Sequence, residues 1–243
     1  MENKNNNLLP FAILSAALII CSIIFVTAWK SNYSSNQTIT VTGSAKKDIT
    51  SDLGILRGSI SVEAPTAEMA YQELKRQKPI LIYYLSSNGF PEKEVEFFTM
   101  NSYPIYEMSS AGYQTNRVRA YNYNQRTEIK SNDVNKIKKI SLEIPSLIEK
   151  GVSFNVEMPE YHYSKIADVK IEIQAEAAKD AMNRASRIAL STGRELGPMR
   201  SARMGVIQIT PRLSNQISDY GVNDLSSIEK EITAVVNASF EIE

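Results

Sequence analysis

Cysteine occurs once in this 243-residue chain, at Cys21, and histidine once, at His162. A chain with no cysteine beyond residue 21 has no disulfides to stabilise its folded part, so its hydrophobic core must be sufficient alone. The same scarcity removes the usual soft-ligand metal sites: no CxxC, no HxxxH and no His/Cys cluster is present. Any Ser-His-Asp or Cys-His nucleophile would have to use His162, which sits between two tyrosines in "PEYHYSK" and reads as a packing or surface residue. Net charge is also absent, with 27 basic and 27 acidic side chains. Sequence-independent nucleic-acid binding needs a basic face that displaces counterions, and this balance gives no footprint of one, leaving only a local patch open.

Glycine-rich phosphate loops are missing as well. The stretch "TITVTGSAKKDIT", Thr38 to Thr50, places a glycine, a serine and two lysines at the end of a β-like run. A phosphate loop needs a second glycine, followed by Lys-Ser/Thr at the mouth of a helix. Neither follows Gly43. The stretch therefore reads as a strand ending at Gly43, then a polar turn in which Lys46 and Lys47 are solvated charges. No cofactor is expected.

One long apolar run is present. "FAILSAALIICSIIFVTAW", Phe11 to Trp29, is free of charge, glycine and proline. As a helix of 1.5 Å per residue it spans roughly 28 Å, close to the hydrocarbon thickness of a bilayer. A cleaved signal peptide is the competing reading, but its apolar region is shorter and ends in a small-x-small site, whereas this run ends in a tryptophan suited to a membrane interface. Cys21 follows Ile20, not a small residue, and reads as a membrane-buried thiol and not as a lipidation site. The organisation expected is a cytoplasmic N-terminus over 1–10, a transmembrane anchor over 11–29, a Ser/Asn-rich tether over 30–37 and a domain over 38–243. The anchor would be single-pass in the inner (cytoplasmic) membrane, with the domain in the periplasm or otherwise outside the cytoplasm.

After the tether, periodicity alternates between strand and helix. "LGILRGSISVEA" sets Ile55, Arg57, Ser59 and Ser61 against Leu56, Gly58, Ile60 and Val62, the pattern of a half-buried strand. Thr66 caps a helix in which Met69, Ala70, Leu74, Ile80, Leu81 and Leu85 recur at helical spacing; Asn88-Gly89 ends it. Pro79 inside this helix predicts a kink. Two strand-like runs, from Glu94 and from Arg117, read as a long hairpin around the connection "SAGYQTN". A second helix carries Val134, Ile137, Ile140 and Ile144, and "VSFNVEM" is another strand. The strongest helical signal starts after Ser164, with Ile166, Val169, Ile173, Ala177, Ala181, Ala185 and Ile188 as its buried stripe and Gly193 as its stop. The alanines let that helix lie close against a sheet. Two closing strands are joined by a polar loop from Leu213 to Ile228. The expected class is α+β: antiparallel sheets with a kinked helix and a long Ala-rich helix on one face, preceded by one transmembrane helix.

Candidate chemistry is thin. Glu92, Glu94 and Glu96 alternate along a strand that buries Val95 and Phe97, which reads as a solvated outer face that discourages wrong pairing. Glu157 with Glu160, and Asp219 with Asp224, are isolated pairs without assignable acid and base roles. Tyr103, Tyr106, Tyr113, Tyr121 and Tyr123 gather on the hairpin with Arg117 and Arg119, the residue types enriched at interface hot spots.

The order and spacing of three stretches resemble the SIMPL domain, the family of the bacterial periplasmic immunogenic protein. They are "ITVTGSAKKDITSDLGILRGSISVEAPTAEMAYQEL", "SKIADVKIEIQAEAAKDAMNRASRIALSTGRELGPM" and "ITAVVNASFEIE". The resemblance implies an α+β fold with a kinked helix, a secreted or periplasmic location and ring-like oligomers in at least one member. It implies roles in stress tolerance and envelope integrity, and no catalytic residues. The expectation is a non-enzymatic, membrane-anchored envelope protein, bound to the membrane through 11–29 and forming homo-oligomers through the hairpin and the Leu213–Ile228 loop. The alternative is an extracytoplasmic domain that binds or senses a small molecule between the Pro79 helix and the sheet.

Overall fold

A computed structural model describes residues 8–34 and 37–242 of the chain. The first helix, α1, runs Leu8–Ser34 and exposes its side chains over 11–29. Its Phe11–Trp29 window has a mean hydropathy of 2.6 and is long and apolar enough to cross a membrane, as an anchor or a signal sequence is. The helix continues past Trp29 to Ser34. Most of the expected tether is therefore helical; residues 35 and 36, like residues 1–7 of the expected cytoplasmic N-terminus, lie outside the described residues.

The remaining strands are β1 (Thr38–Thr50), β2 (Leu53–Ala64), β3 (Val95–Met108), β4 (Gln114–Ser131), β5 (Phe154–Val156), β6 (Glu160–His162), β7 (Leu196–Met204), β8 (Gln208–Pro211), β9 (Val222–Asn223) and β10 (Glu229–Ile242). The remaining helices are α2 (Ala67–Ser87), α3 (Val134–Glu143) and α4 (Ile166–Ser191). The class is α+β with antiparallel pairing dominant; β8 and β9 pair in parallel. By contacts the chain forms two units: residues 1–46, 170–207 and 233–243 make one, and residues 47–169 and 208–232 the other.

The second unit is built on β2. Eleven residue pairs, Gly54↔Ser131 through Ala64↔Tyr121, join β2 to β4 in antiparallel register, β3 extends the sheet beyond β4, and β5 and β6 pair with the other edge of β2. The expected phase of β2 holds: Leu56, Ile60 and Val62 enter the core, while Arg57 and Ser61 share the opposite face with Glu128 and Asn124. Ile55, on that opposite face, is nonetheless buried.

Thr66 caps α2 by accepting the Met69 N–H, and the helix runs unbroken through Pro79. Proline removes one internal hydrogen bond, but burial compensates: Leu74, Leu81 and Leu85 are fully enclosed, each stabilising by about 1.5–3 kcal/mol relative to exposure. Met69, expected on the buried stripe, is exposed. The buried Gln77 amide is satisfied at both ends, donating to Glu73 and accepting the Ser153 N–H.

α3 buries Val134, Ile137 and Ile140, and at Ile144 the chain tightens into a 3₁₀ turn through Lys150, as Pro145 dictates by lacking an N–H. Sequence periodicity did not reveal β6 or β9, which are too short to show alternation and lie inside what reads as loop. The first closing strand, read as one run, is divided into β7 and β8 between Met204 and Gln208.

The first unit contains the early part of β1, most of α4, β7 and the later part of β10. Gln37 accepts from Ile242, and the Thr42 hydroxyl meets the Asn237 side chain; partner numbers fall as the others rise, so β1 and β10 are antiparallel. β7 pairs antiparallel with β10 from Val236↔Met204 to Ile242↔Leu196, with bulges around Phe240. Ile173, Ala177, Ala181, Ala185 and Ala189 are buried along α4 at four-residue intervals. Ile188, expected in this stripe, is half exposed because the buried line continues to Ala189.

Candidate functional site

Gly43 does not end a strand. β1 continues without a turn to Thr50, so the polar turn expected over residues 44–48 is β-strand instead. The polar residues there fit a strand because alternate positions face solvent: Ser44, Lys46 and Asp48 are exposed, whereas Lys47 is half buried and, like Lys46, engaged within the fold. The glycine is needed for a different reason. A Cβ at Gly43 would lie 2.3 Å from the Ala177 carbonyl oxygen, 2.3 Å from the Ala181 nitrogen and 2.7 Å from the Ala181 Cα. All three are backbone atoms of α4, which therefore lies directly on the strand.

The adjacent amide is used too. The Ser44 N–H donates to Asp180 Oδ2 at 2.9 Å, and Arg184 Nε donates to the same oxygen at 2.7 Å. The Ser44 amide, followed by the Arg184 bond and charge, holds the Asp180 carboxyl below the usual carboxylate range. The space and the donor that a phosphate would require are occupied by a helix and its carboxylate.

The hairpin residues do not act as one group. β4 pairs with β2 only as far as Tyr121, so the part of the β3–β4 hairpin beyond it is a two-stranded arm. Its connection is Ser109–Tyr113, closed by the Ser109 N–H on the Tyr113 carbonyl and by Gly112 at φ 80°. Glycine takes that left-handed conformation without the Cβ penalty.

Tyr113 and Arg117 are exposed on the arm, Tyr103 is exposed at its base opposite Asn122, and Tyr106 and Tyr121 are half buried. Arg119 donates to Glu63 at 2.8 Å. Tyr123 belongs to the interior: its ring meets Tyr71 of α2 edge-on at 6.0 Å and packs against the core. Tyr103, Pro104, Ile105, Tyr106, Met108, Gln114 and Arg119 line an open hollow of about 700 Å³. Met108 and Val118 are also exposed, giving the arm an apolar surface that an isolated two-stranded ribbon does not bury by itself.

The carboxylates are dispersed. Glu92 and Glu94 fall in a 3₁₀ turn, and only Glu96 is in the strand, opposite Glu128. The expected row of three glutamates on one strand face is therefore broken, since Pro91 starts a turn that delays the strand to Val95. Glu128 and Glu160 both bind Arg57, at 2.6 Å each, and Glu160 also meets His162 Nε2 at 3.1 Å. Burial alone would raise the Glu128 carboxyl; the bonds from Lys130 and Arg57 outweigh it and hold the group below its usual range.

Glu157 binds Arg126. Asp219 and Asp224 separate in role: Asp224 is buried, caps the Ser226 and Ser227 amides, and lies 3.7 Å from the enclosed Lys230 ammonium. Ser164, expected as a helix cap, instead donates both its N–H and its hydroxyl to Asp52. No group of three potential metal ligands occurs among the described residues.

Sequence reasoning missed the Asp180–Ser44 bond and the Lys230–Asp224 pair. Only the recurrent alanines of α4 signalled that something approaches that helix closely. The model of a family described as SIMPL, a protein of unknown function (DUF541), matches residues 39–240. No curated protein matches the chain.

Proposed function

The chain belongs to the SIMPL family, and from that premise we propose a membrane-anchored, non-enzymatic envelope protein. In this reading α1 holds the domain on the outer side of the inner membrane. The domain assembles with further copies through the β3–β4 arm and the loop between β8 and β10, and it contributes to envelope integrity or stress tolerance. The observation that carries assembly is the arm: Met108, Tyr113 and Val118 are exposed on a ribbon with no third strand, and Tyr103 is exposed at its base. The loop adds Leu213, Ile217 and Tyr220, all more than four-fifths exposed, with Leu213 held at φ 63°. Exposed tyrosines beside Arg117 match the composition of interface hot spots.

The non-enzymatic part draws its support from how the carboxylates are used, as acceptors for structural donors. Asp52, Glu73, Glu128, Asp180 and Asp224 are all moved downward, each by bonds to structural partners. Light scattering and crosslinking of the full chain in detergent test the reading. The parent is expected to be an oligomer, and Met108→Ser combined with Tyr113→Ser is expected to shift it toward monomer without changing circular dichroism. A parent that is monomeric at high micromolar concentration, in detergent and in membranes, refutes assembly.

A further inference from the structure

The helix of the anchor reaches almost to the start of β1, and this limits how far the first unit can stand from a bilayer. Five helical residues follow Trp29 to Ser34, a rise of about 7.5 Å. Three further residues, even fully extended, carry the chain at most about 11 Å to Gln37. The polar headgroup layer on one side of a bilayer is itself roughly 5–8 Å thick. Gln37 is already part of the fold: its carbonyl accepts the Ile242 N–H and its side chain accepts from Arg194. The edge of the first unit that carries Gln37 therefore stays within about 13 Å of the headgroups.

That edge includes the end of α4. Leu190 and Ile188 are exposed there, at 64% and 46%, on the two flanks of the outer face of a helix whose inner stripe, Ala185 and Ala189, is buried. Arg187 and Arg194 flank them, both exposed, and Arg187 has no ion-pair partner among the described residues. Glu195 is the one acidic side chain between residues 187 and 196. Arg184, Arg187 and Ile188 also line a groove of about 410 Å³ with Val41 and Thr42 of β1. Guanidinium groups beside aliphatic side chains match the polarity of a lipid at its headgroup–acyl boundary.

We infer that the C-terminal turn of α4 is a bilayer-contact surface: Leu190 and Ile188 enter the interface while Arg187 and Arg194 bind anionic headgroups. This rests on α1 being retained in the membrane. The contact gives the domain a fixed edge on the membrane, where a flexible tether would let it tumble.

The test uses the full chain with Cys21→Ala, nitroxide-labelled at Ser191→Cys or, as control, at Glu176→Cys. The chain is reconstituted in phosphatidylcholine vesicles with and without phosphatidylglycerol. The label at 191 is expected to collide mainly with lipid-dissolved oxygen, and the label at 176 mainly with a water-soluble nickel chelate. Ile188→Ser with Leu190→Ser should lower the 191 ratio to that of the 176 control, because the two aliphatic side chains that hold the turn in the apolar phase are gone. Arg187→Gln should lower it on anionic vesicles and not on neutral ones.

Equal ratios at 191 and 176 in vesicles that retain the protein through alkaline extraction would overturn the inference. Protection at 191 that grows with the protein-to-lipid ratio would overturn it in favour of a second copy. An equal effect of Arg187→Gln on both vesicle types would overturn the anionic preference. Release of the parent by alkali would instead overturn the anchor itself.

Discussion

Replacing Gly43 by alanine places a Cβ 2.3 Å from two backbone atoms of α4 and 2.7 Å from a third. Real Cβ contacts to such atoms begin above 3.0 Å, so the helix and strand must separate by roughly 1 Å, at the overpacking cost of about 3 kcal/mol. The separation also stretches the Ser44–Asp180 bond of 2.9 Å. For a domain of this size the loss corresponds to a drop in Tm of about 6–12 °C. Thermal and urea unfolding of the full chain, followed by circular dichroism, measures it. Two controls separate the mechanisms. Ala181→Gly in the Gly43→Ala background should not restore stability, because the clashing atoms belong to the backbone. Gly193→Ala, at φ 74° with nothing within 4 Å, should cost only about 1 kcal/mol of backbone strain. A Gly43→Ala protein within about 0.5 kcal/mol of the parent would refute the close packing.

Lys230→Met should cost about 3–5 kcal/mol, because it leaves the buried Asp224 carboxylate without its ammonium partner. Adding Asp224→Asn should recover most of that loss in the urea midpoint, and equal midpoints for the single and double variants would count against the pair. Acid stability should depend on Glu73, held at about 2 by hydrogen bonds from Arg76 and then Gln77. Its folded value lies below its unfolded one, so its contribution is complete above the ordinary carboxylate range and lost as pH falls toward about 2. Glu73 is about one-third exposed, so solvent screening reduces the stabilisation to about 1 kcal/mol. The stability difference between parent and Glu73→Gln should shrink across that window, and a pH-independent difference would show that the bonds contribute nothing.

Much of the fold was legible because burial imposes periodicity over long elements. The apolar run of α1, the β2 phase and the stripe of α4 each repeat one signal several times. Elements of two or three residues carry no such repetition: β6 and β9 went unseen, and β5 was read only as part of the longer run "VSFNVEM". The hairpin tyrosines show the same limit at the level of a site: shared composition grouped Tyr123 with Tyr113, although one packs on α2 and the other is exposed. Proximity in sequence says little about which of them meets solvent when a third strand covers only half of the hairpin.

The stretch from Thr38 to Thr50 marks the boundary between the two kinds of knowledge. Local chemistry alone excluded a phosphate loop, since the second glycine and the following helix are absent from the sequence. Composition likewise left no second cysteine for a disulfide within the chain and no CxxC or HxxxH motif. What Gly43 is for, and why Asp180 matters, came from atoms 134 to 138 positions further along the chain. Such contacts depend on where α4 lies against β1, and that placement is set by the packing of the whole unit rather than by any local run of residues.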